Sequence, residues 1–255
     1  MSGPVLAVRN PRTGLTDRSI AAASADEVAA TCTRLRAGQR AWQRAGVAHR
    51  ARVLRRWRDL LSDDRAILAE LCVDTGRRAE SELEVQVVQA SLARWCDHAE
   101  QDLAAGADRS GERPSSLPFV QLRGDTRPYP LVAVISPWNF PLLLSVIDTI
   151  PALLAGCAVV VKPSEITPRF IEPMQAIIER VPELAAVLHY LPGAAATGQA
   201  MVDHADLVCF TGSVATGRNI ATRCGQRLIP AYLELGGKDA AIVTASADIE
   251  RASAA

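Results

Sequence analysis

The chain has 255 residues, of which 49% are hydrophobic and 22% are charged. This composition excludes a disordered or collagen-like protein, and the length predicts one or two domains. Lysine plus arginine and aspartate plus glutamate are both 28, so the formal net charge is zero. A nucleic-acid binder that uses a whole basic surface is therefore disfavoured. Lys162 and Lys238 are the two lysines among the basic residues, and each is a candidate for a specific role because an ammonium and a guanidinium are not interchangeable.

The six cysteines favour reduced thiols in the cytoplasm over a disulfide framework or a metal site. No pair has C-x-x-C spacing, and no histidine lies at ligand spacing from a cysteine. Residues 1–14 contain no apolar segment typical of a secretory signal. The most apolar stretch, residues 140–161, is interrupted by Asp148, two prolines and a glycine. We therefore expect no membrane span and no bound metal.

The N-terminal part of the chain predicts a short extended segment followed by helices. Ser24 with Glu27 three residues later has the pattern of a capping box, which begins a helix. Apolar residues at helical spacing continue from there, and Gly76 is expected to end the second helix. Three helices are therefore predicted. The first begins at Ser24, and the other two cover residues 48–75 and 79–102.

Nine arginines and no acidic residue occupy residues 34–58. This stretch allows a nucleic-acid-binding face or a solvated helix surface. The second interpretation is favoured because acidic residues follow on the same predicted helix. Residues 106–118, rich in Gly, Pro and Ser, are typical of a linker or turn.

After Tyr129, short apolar runs alternate with helical patterns. The predicted strands cover residues 131–135, 158–161, 186–191, 207–210, 228–233 and 240–243, and the predicted helices cover 142–154, 168–180, 197–203 and 215–224. Continuous apolar strands that alternate with helices indicate a buried parallel sheet. The predicted fold is therefore α/β: a Rossmann-like parallel sheet with helices on both faces, preceded by an N-terminal helical layer. Ligands of such sheets bind at the carboxyl ends of the strands.

Polar clusters follow the first two of these strands. Asn139 lies in a loop stiffened by Pro137 and Pro141, where its amide could stabilise an oxyanion or simply cap the loop. Lys162 and Glu165 follow the next strand. A cation there suits a phosphate or ribose, and a carboxylate suits ribose hydroxyls, although a salt-bridged surface pair gives the same pattern.

Two further clusters follow later strands. Gly212, Ser213 and Gly217 surround the start of a helix, which fits a phosphate site or an ordinary helix start. Glu234 ends a strand among apolar neighbours. Partial burial there would raise the pKa of Glu234 and suit it as a general base, and the alternative is a turn with a capping charge.

Read together, the motifs P-W-N-F-P, K-P-S-E, F-T-G-S-x-x-x-G and E-L-G-G-K, in this order on successive strands, resemble the aldehyde dehydrogenase superfamily. The resemblance covers nearly the whole chain, because the opening V-R-N-P-R-T-G and the helical region also fit. It implies an NAD-binding domain formed by residues 1–107 and 130–255. It also implies that residues 108–129 are the first part of a β arm for homo-oligomerisation, and that the catalytic domain is absent from this chain.

The resemblance also implies roles for individual residues. Asn139 would be the oxyanion-hole amide and Glu234 the general base. The cofactor contacts it implies are Lys162 and Glu165 at the ribose, Gly212, Ser213 and Gly217 at the pyrophosphate, and Leu235 near the nicotinamide. The implied reaction is attack of a cysteine thiolate on a small-molecule aldehyde, hydride transfer to NAD and hydrolysis of the thioester. NADP is less favoured, because Glu165 would repel a 2′-phosphate.

The sequence departs from the family pattern in two ways. Val214 stands where members often have Thr, and none of the six cysteines matches the family's nucleophile, which lies downstream of E-L-G-G-K. The expectation is that Cys157, Cys209 and Cys224 are small buried hydrophobes and that this chain alone does not oxidise aldehydes. A fragment of a longer enzyme and a non-catalytic dinucleotide-binding or interaction module both remain open.

Overall fold

The computed structural model describes residues 4–106, 111–124 and 126–254. Within these ranges the chain forms helices, two antiparallel hairpins and a five-stranded parallel sheet. The helices are α1 (Ala25–Arg44), α2 (Val47–Asp63), α3 (Ala66–Thr75), α4 (Arg78–Gly106), α5 (Pro141–Val146), α6 (Thr149–Ala155), α7 (Ile171–Glu179), α8 (Pro182–Ala185), α9 (Ala195–His204), α10 (Val214–Arg227) and α11 (Ile249–Ala254). The strands are β1 (Val5–Arg9), β2 (Thr16–Ala21), β3 (Gly111–Pro114), β4 (Gln121–Gly124), β5 (Leu131–Ile135), β6 (Ala158–Lys162), β7 (Leu188–Tyr190), β8 (Leu207–Gly212) and β9 (Ala231–Leu235). The predicted α/β class, with a helical layer ahead of a parallel sheet, is confirmed.

The N-terminal layer begins with the β1–β2 hairpin and continues into α1. The capping box predicted at the start of α1 is present. The backbone N–H of Ser24 donates to the Glu27 carboxylate at 2.7 Å, and the backbone N–H of Glu27 donates to Ser24 Oγ at 3.3 Å. Two of the donors that a helix N-terminus leaves free are thereby satisfied.

The single helix predicted over residues 48–75 is wrong, because the structure divides it into α2 and α3. Asp64 has extended backbone angles, and its carboxylate accepts the backbone N–H of Ala66 at 2.6 Å. A short acidic side chain that bonds to the backbone two residues later competes with helix continuation. Gly76 ends α3 in the left-handed conformation, with φ of 68°, as its position predicted.

The arginines of residues 34–58 make contacts with the rest of the protein. Arg36 pairs with Asp206, and Arg55 pairs with Asp97. Arg50 is buried and donates from Nε to the backbone carbonyl of Leu154 at 2.8 Å. Much of the positive charge of this stretch therefore holds helices and strands together.

The second hairpin, β3–β4, projects apolar side chains. Leu117 and Phe119 at its turn are 54% and 85% exposed. Of the predicted arm, residues 108–110 and 125 lie outside the described residues.

The parallel sheet has the strand order β7–β6–β5–β8–β9. The chain runs outward from β5 through β6 to β7, then returns to the other side of β5 for β8 and β9. Every residue of β5 and β6 is buried, as expected when helices cover both faces of a parallel sheet. Burying each Val, Leu or Ile contributes roughly 1.5–3 kcal/mol, so these two strands anchor the core.

Two predicted boundaries in this half are wrong. The helix expected over residues 142–154 is two helices, α5 and α6, because Pro151 cannot donate to a preceding turn and is tolerated only near a helix start. The strand expected at 228–233 is β9, which begins later because Leu228 ends α10 in the left-handed conformation.

The segment 240–243, predicted as a strand, is irregular. Ile242 and Val243 are 87% and 64% exposed, and no other described strand lies beside them for pairing. An apolar run without a partner strand leaves its backbone groups unpaired and does not form a sheet. No helix within the described ranges is long and apolar enough to cross a membrane.

Candidate functional site

The strand order places a cleft where the direction of winding reverses. β5 and β8 are neighbours in the sheet, but their connections leave to opposite sides. In doubly wound sheets the crevice beyond the carboxyl ends of two such strands is where ligands bind. The cleft there has a volume of about 1230 Å³, larger than the roughly 300–1,000 Å³ of most small-molecule pockets. It is large enough for an extended ligand such as a dinucleotide.

Most of the residues that the motifs singled out line this cleft. They are Asn139, Lys162, Glu165, Gly212, Ser213, Glu234 and Leu235. Gly217 does not line it. The motifs are spread over about 100 residues of sequence, and the parallel sheet brings them together because all of its strands end on the same side.

Lys162 is the last residue of β6, and its ammonium is buried at the edge of the cleft. Nζ donates to the backbone carbonyls of Gly193 at 2.9 Å and Pro163 at 3.0 Å, and to the Glu165 carboxylate at 3.3 Å. Burial lowers the pKa of Lys162, and the Glu165 charge opposes that shift. The Lys162 side chain is 5% exposed and that of Glu165 is 46% exposed. The carboxylate is therefore free to accept further hydrogen bonds from the cleft.

The turn between β8 and α10 presents a helix N-terminus to the same cleft. Ser213 is the N-cap of α10, and its Oγ accepts the backbone N–H of Thr216 at 3.2 Å. A Cβ at Gly212 would lie 2.6 Å from Cζ of Phe210, so only glycine fits against this aromatic ring. The positive end of the α10 dipole is suited to an anionic group such as a phosphate.

Gly217 has a packing role that the sequence did not predict. It is buried on α10, and a Cβ there would lie 2.4 Å from Cδ2 of Leu235. The absence of a side chain lets α10 approach β9 and positions Leu235 at the cleft. The structure therefore places Gly217 behind Leu235 instead of on the cleft surface.

Asn139 and Glu234 lie on the exposed part of the cleft. Asn139 follows β5, and Glu234 on β9 pairs in register with Thr211 of β8. The partial burial expected for Glu234 is wrong, because its side chain is exposed. The reason is that β9 is the edge strand of the described sheet, so its outer side chains have no covering layer there.

Sequence reasoning missed Asp148, which lies near the proposed base. Burial, and next the charge of Glu234, raise the pKa of Asp148. Asp148 precedes α6, and nothing in its sequence context distinguishes it from a helix cap. The two carboxylates therefore form a local negative region beside β9.

Sequence reasoning also missed polar residues that α9 and α10 contribute to the cleft. Gln199, Asn219 and Arg223 line its far side, and Nε of Arg223 donates to Asp203 at 2.6 Å, joining the two helices. Polar residues at helical spacing were present in the sequence, but a solvated helix face has the same pattern.

The donor set fits a dinucleotide. A buried ammonium, an exposed carboxylate and a helix N-terminus surround one elongated cleft. Ser136, at the end of β5, has a buried Oγ with no hydrogen-bond partner among the described residues, and it lies at the same edge. These groups match the hydroxyls and phosphates of a dinucleotide, and no three or more described His, Cys, Asp or Glu side chains cluster as metal ligands.

The cysteines nearest the sheet are buried and poorly ionised. Burial raises the pKa of Cys157 to about 11 and that of Cys209 to about 12, and it also raises the pKa of Cys224. Because the thiolate is the nucleophile, burial makes these cysteines poor candidates for a nucleophile at neutral pH. The prediction that they are small buried hydrophobes is confirmed.

The strand order and the cleft together define a dinucleotide-type α/β fold, and comparisons with known proteins identify the family. The sequence model of the aldehyde dehydrogenase family matches residues 2–255. The chain is 37% identical over 245 residues to a Mycolicibacterium smegmatis protein provisionally named as an NADP(+) succinate-semialdehyde dehydrogenase. That match covers 95% of this chain and 47% of the relative.

Solved structures of aldehyde dehydrogenases are also similar to this chain. A protein of Anabaena variabilis, provisionally described as an aldehyde dehydrogenase, has a TM-score of 0.90 and 48% identity, covering 98% of this chain and 53% of that one. The NAD-dependent benzaldehyde dehydrogenase of Corynebacterium glutamicum has a TM-score of 0.86 and 29% identity, covering 99% and 55%. The chain belongs to the aldehyde dehydrogenase family. It spans about half the length of the curated relatives it matches.

Proposed function

We propose that this chain is the cofactor-binding portion of an enzyme that oxidises a small-molecule aldehyde to a carboxylic acid with NAD. The observation that carries the proposal is the cleft between β5 and β8, where four motifs from separate strands meet. Family membership supports aldehyde oxidation with a nicotinamide cofactor. The competing proposal, a non-catalytic module of the same descent, predicts the same cofactor binding but no role in turnover for Asn139 or Glu234.

The cofactor contacts follow from the charges around the cleft. Lys162 and Glu165 would hold the ribose. Glu165 would accept hydrogen bonds from its hydroxyls, and Lys162 would exchange its 3.3 Å bond to Glu165 for one to a ribose oxygen. Gly212 and Ser213 would present the α10 N-terminus to the pyrophosphate, and Leu235, which packs on α10, would support the nicotinamide. Gly217, which the resemblance places at the pyrophosphate, would act only indirectly, by letting α10 pack closely against Leu235.

The remaining two residues would serve the chemistry. When bound, NAD supplies the hydride acceptor. Asn139 would donate its amide to the oxyanion that forms when a thiolate adds to the aldehyde carbon. Glu234 would accept a proton from the water that hydrolyses the resulting thioester. The thiolate is proposed to come from a cysteine outside the six present here, and the raised pKa values that burial gives Cys157 and Cys209 support this.

NAD is proposed over NADP because the Glu165 carboxylate would repel a 2′-phosphate. The printed names of relatives include both cofactors, NADP(+) for the Mycolicibacterium protein and NAD for the Corynebacterium enzyme. The Lys162 ammonium, 3.3 Å from Glu165, neutralises part of the carboxylate charge. The preference is therefore expected to be moderate.

We also propose that the whole enzyme is a cytoplasmic homo-oligomer that uses neither nucleic acid nor membrane as a partner. The exposed apolar side chains of the β3–β4 hairpin, Leu117 and Phe119, support its role as part of an oligomerisation arm. The mixed ion pairs of the arginine-rich helices support the absence of a nucleic-acid face.

The experiment is calorimetric titration of residues 1–255 with NAD and NADP. Lys162→Ala should weaken NAD binding by about 1–3 kcal/mol, the range for a hydrogen bond to a charged group. Lys238→Ala is the matched control, because Lys238 is exposed and should leave affinity unchanged. Glu165→Ser should narrow the gap between NAD and NADP. If the unmodified chain binds NADP as tightly as NAD, the proposed role of Glu165 is wrong. If the two lysine variants change NAD affinity equally, the proposed contact of Lys162 with the cofactor is wrong.

A further inference from the structure

The loop that carries Asn139 is contacted by the turn that leads into α4. The sequence T-G-R-R ends α3, turns through Gly76 with φ of 68° and begins α4. The turn is fixed by Thr75, whose Oγ1 accepts the backbone N–H of Arg77 at 3.1 Å. Ser81 Oγ donates to the carbonyl of Arg77 at 2.7 Å. The backbone of Arg77 is therefore fixed directly before the helix.

Arg77 contacts two consecutive residues of the loop. Its guanidinium donates to the backbone carbonyl of Asn139. Its Cζ also lies 5.3 Å from the centroid of the Phe140 ring, within the range of a cation–π contact. One side chain thus holds the carbonyl of the proposed oxyanion residue and the ring that follows it.

Glu84 holds the other end of the loop. It lies seven residues after Arg77, about two helical turns along, and so on the same side of α4. Its side chain is buried, with the residue 2% exposed. Its carboxylate accepts the backbone N–H of Leu143 at 2.8 Å, at the first turn of α5. A buried carboxylate that caps a helix start fixes where that helix begins.

We propose that Arg77 and Glu84 are positioning residues that hold Asn139 in the orientation needed to bind an oxyanion. Asn139 is exposed on the cleft, so within the described part of the chain the contacts to its backbone set the direction of its side chain. Arg77 fixes that backbone at the Asn139 carbonyl, and Glu84 fixes it four residues later. This inference rests on the proposed role of Asn139 and adds two residues outside the cofactor motifs.

The test measures the order of the Asn139 backbone directly. The chain has three asparagines, Asn10, Asn139 and Asn219, so selective ¹⁵N-asparagine labelling gives three backbone amide signals. Loss of one signal in Asn139→Ala identifies the probe, and Asn219, on α10, is the internal reference. Relaxation measurements then give the order parameter of Asn139 without any need for activity or cofactor.

Arg77→Ala should lower the order parameter of Asn139 from about 0.85 to below about 0.6, the values of rigid and flexible backbone. Asn219 should not change. Arg78→Ala is the matched control, because the neighbouring Arg78 pairs only with Glu82 on the exposed face of α4 among the described contacts. It should leave Asn139 rigid. Equal order parameters in Arg77→Ala and Arg78→Ala would overturn the proposal.

Glu84 supplies an independent pair of variants. Glu84→Ala removes the acceptor and should make Asn139 mobile, whereas Glu84→Gln keeps a carbonyl oxygen and should restore its order. A general loss of structure would affect Asn219 as well, and mobility in Glu84→Gln equal to that in Glu84→Ala would contradict a capping role. If Arg77→Ala fails to fold, the two Glu84 variants test the proposal. If Glu84→Ala fails to fold, the comparison of Arg77→Ala with Arg78→Ala tests it. A wild-type chain that does not bind NAD would overturn the proposed function but leave these order parameters valid.

Discussion

Replacing Glu84 by glutamine is expected to stabilise the protein above neutral pH and to have little such effect in acid. Burial raises the pKa of Glu84 from its ordinary value of 4.5 to about 7, and the N–H groups of Leu143 and Leu142 and the charge of Arg77 oppose that rise. Desolvation is thus stronger than the hydrogen bonds that favour the ionised form.

The sign and size follow from proton linkage. Between pH 4.5 and about 7 the unfolded chain has lost the proton of Glu84 and the folded chain still holds it. The free energy of unfolding therefore falls as the pH rises through this interval. At 1.36 kcal/mol per pKa unit, this amounts to about 3 kcal/mol. Glutamine does not ionise and keeps an acceptor for Leu143. The free energy of unfolding of Glu84→Gln should therefore not show this fall.

The assay is urea denaturation of both proteins between pH 5 and 8, followed by circular dichroism. Subtracting the wild-type free energy of unfolding from that of the variant cancels other titrations. Asp74, whose pKa burial raises to about 6, acts in the same direction, and His189, whose pKa burial lowers to about 4, acts in the opposite one. The difference should grow by about 3 kcal/mol across the range.

A difference that stays constant within about 0.5 kcal/mol, the spread of neutral surface substitutions, would refute the reasoning. The matched control is Glu82→Gln. Glu82 is two residues away on the same helix, but its side chain is 42% exposed and pairs with Arg78, so it should show no such growth.

Three other outcomes are expected. Gly217→Val should lower stability by about 1–3 kcal/mol through overpacking, since a Cβ there meets Leu235 at 2.4 Å, whereas Gly225→Ala, with nothing within 4 Å, should stabilise α10 by about 0.5–1 kcal/mol. The two melting temperatures check this, and equal shifts would contradict it. Asp74→Ala should cost about 1–3 kcal/mol, because it removes the 2.7 Å partner of the buried Arg169 and leaves Asp17 to pair with it, and denaturation showing a loss below about 0.5 kcal/mol would contradict the pairing. Purified residues 1–255 should form no NADH from aliphatic or aromatic aldehydes, and turnover abolished by mutating one of the six cysteines would show that the nucleophile is among them.

The elements predicted correctly from sequence have causes that lie within a few residues. The capping box needs only Ser24 and Glu27, and the stop at Gly76 needs one residue that tolerates positive φ. The strands β5 and β6 were predictable because both of their faces are buried, which makes their sequences apolar throughout. These signals are local, and the structure preserves them.

The elements predicted wrongly depend on contacts made elsewhere in the fold. The break between α2 and α3 is decided by the carboxylate of Asp64, which is one of several acids in that stretch. Glu234 was expected to be partly buried from its apolar neighbours, but its exposure depends on β9 being an edge strand. Glu84 is one of three glutamates within five residues of α4, and its contact with α5 distinguishes it from the exposed Glu80 and the half-buried Glu82.

Gly212 at the end of β8 and Gly217 in α10 show that a matching motif does not by itself establish a ligand contact. The resemblance placed both Gly212 and Gly217 near the pyrophosphate, but the nearest atoms that a Cβ would meet belong to Phe210 and Leu235. A side chain at either glycine would therefore make Phe210 or Leu235 move before any ligand is considered. That packing brings α10 against β8 and β9 and so places the helix N-terminus at the cleft. A substitution at either glycine would change cofactor affinity through the position of α10, and loss of affinity in such a variant would not by itself identify a ligand contact.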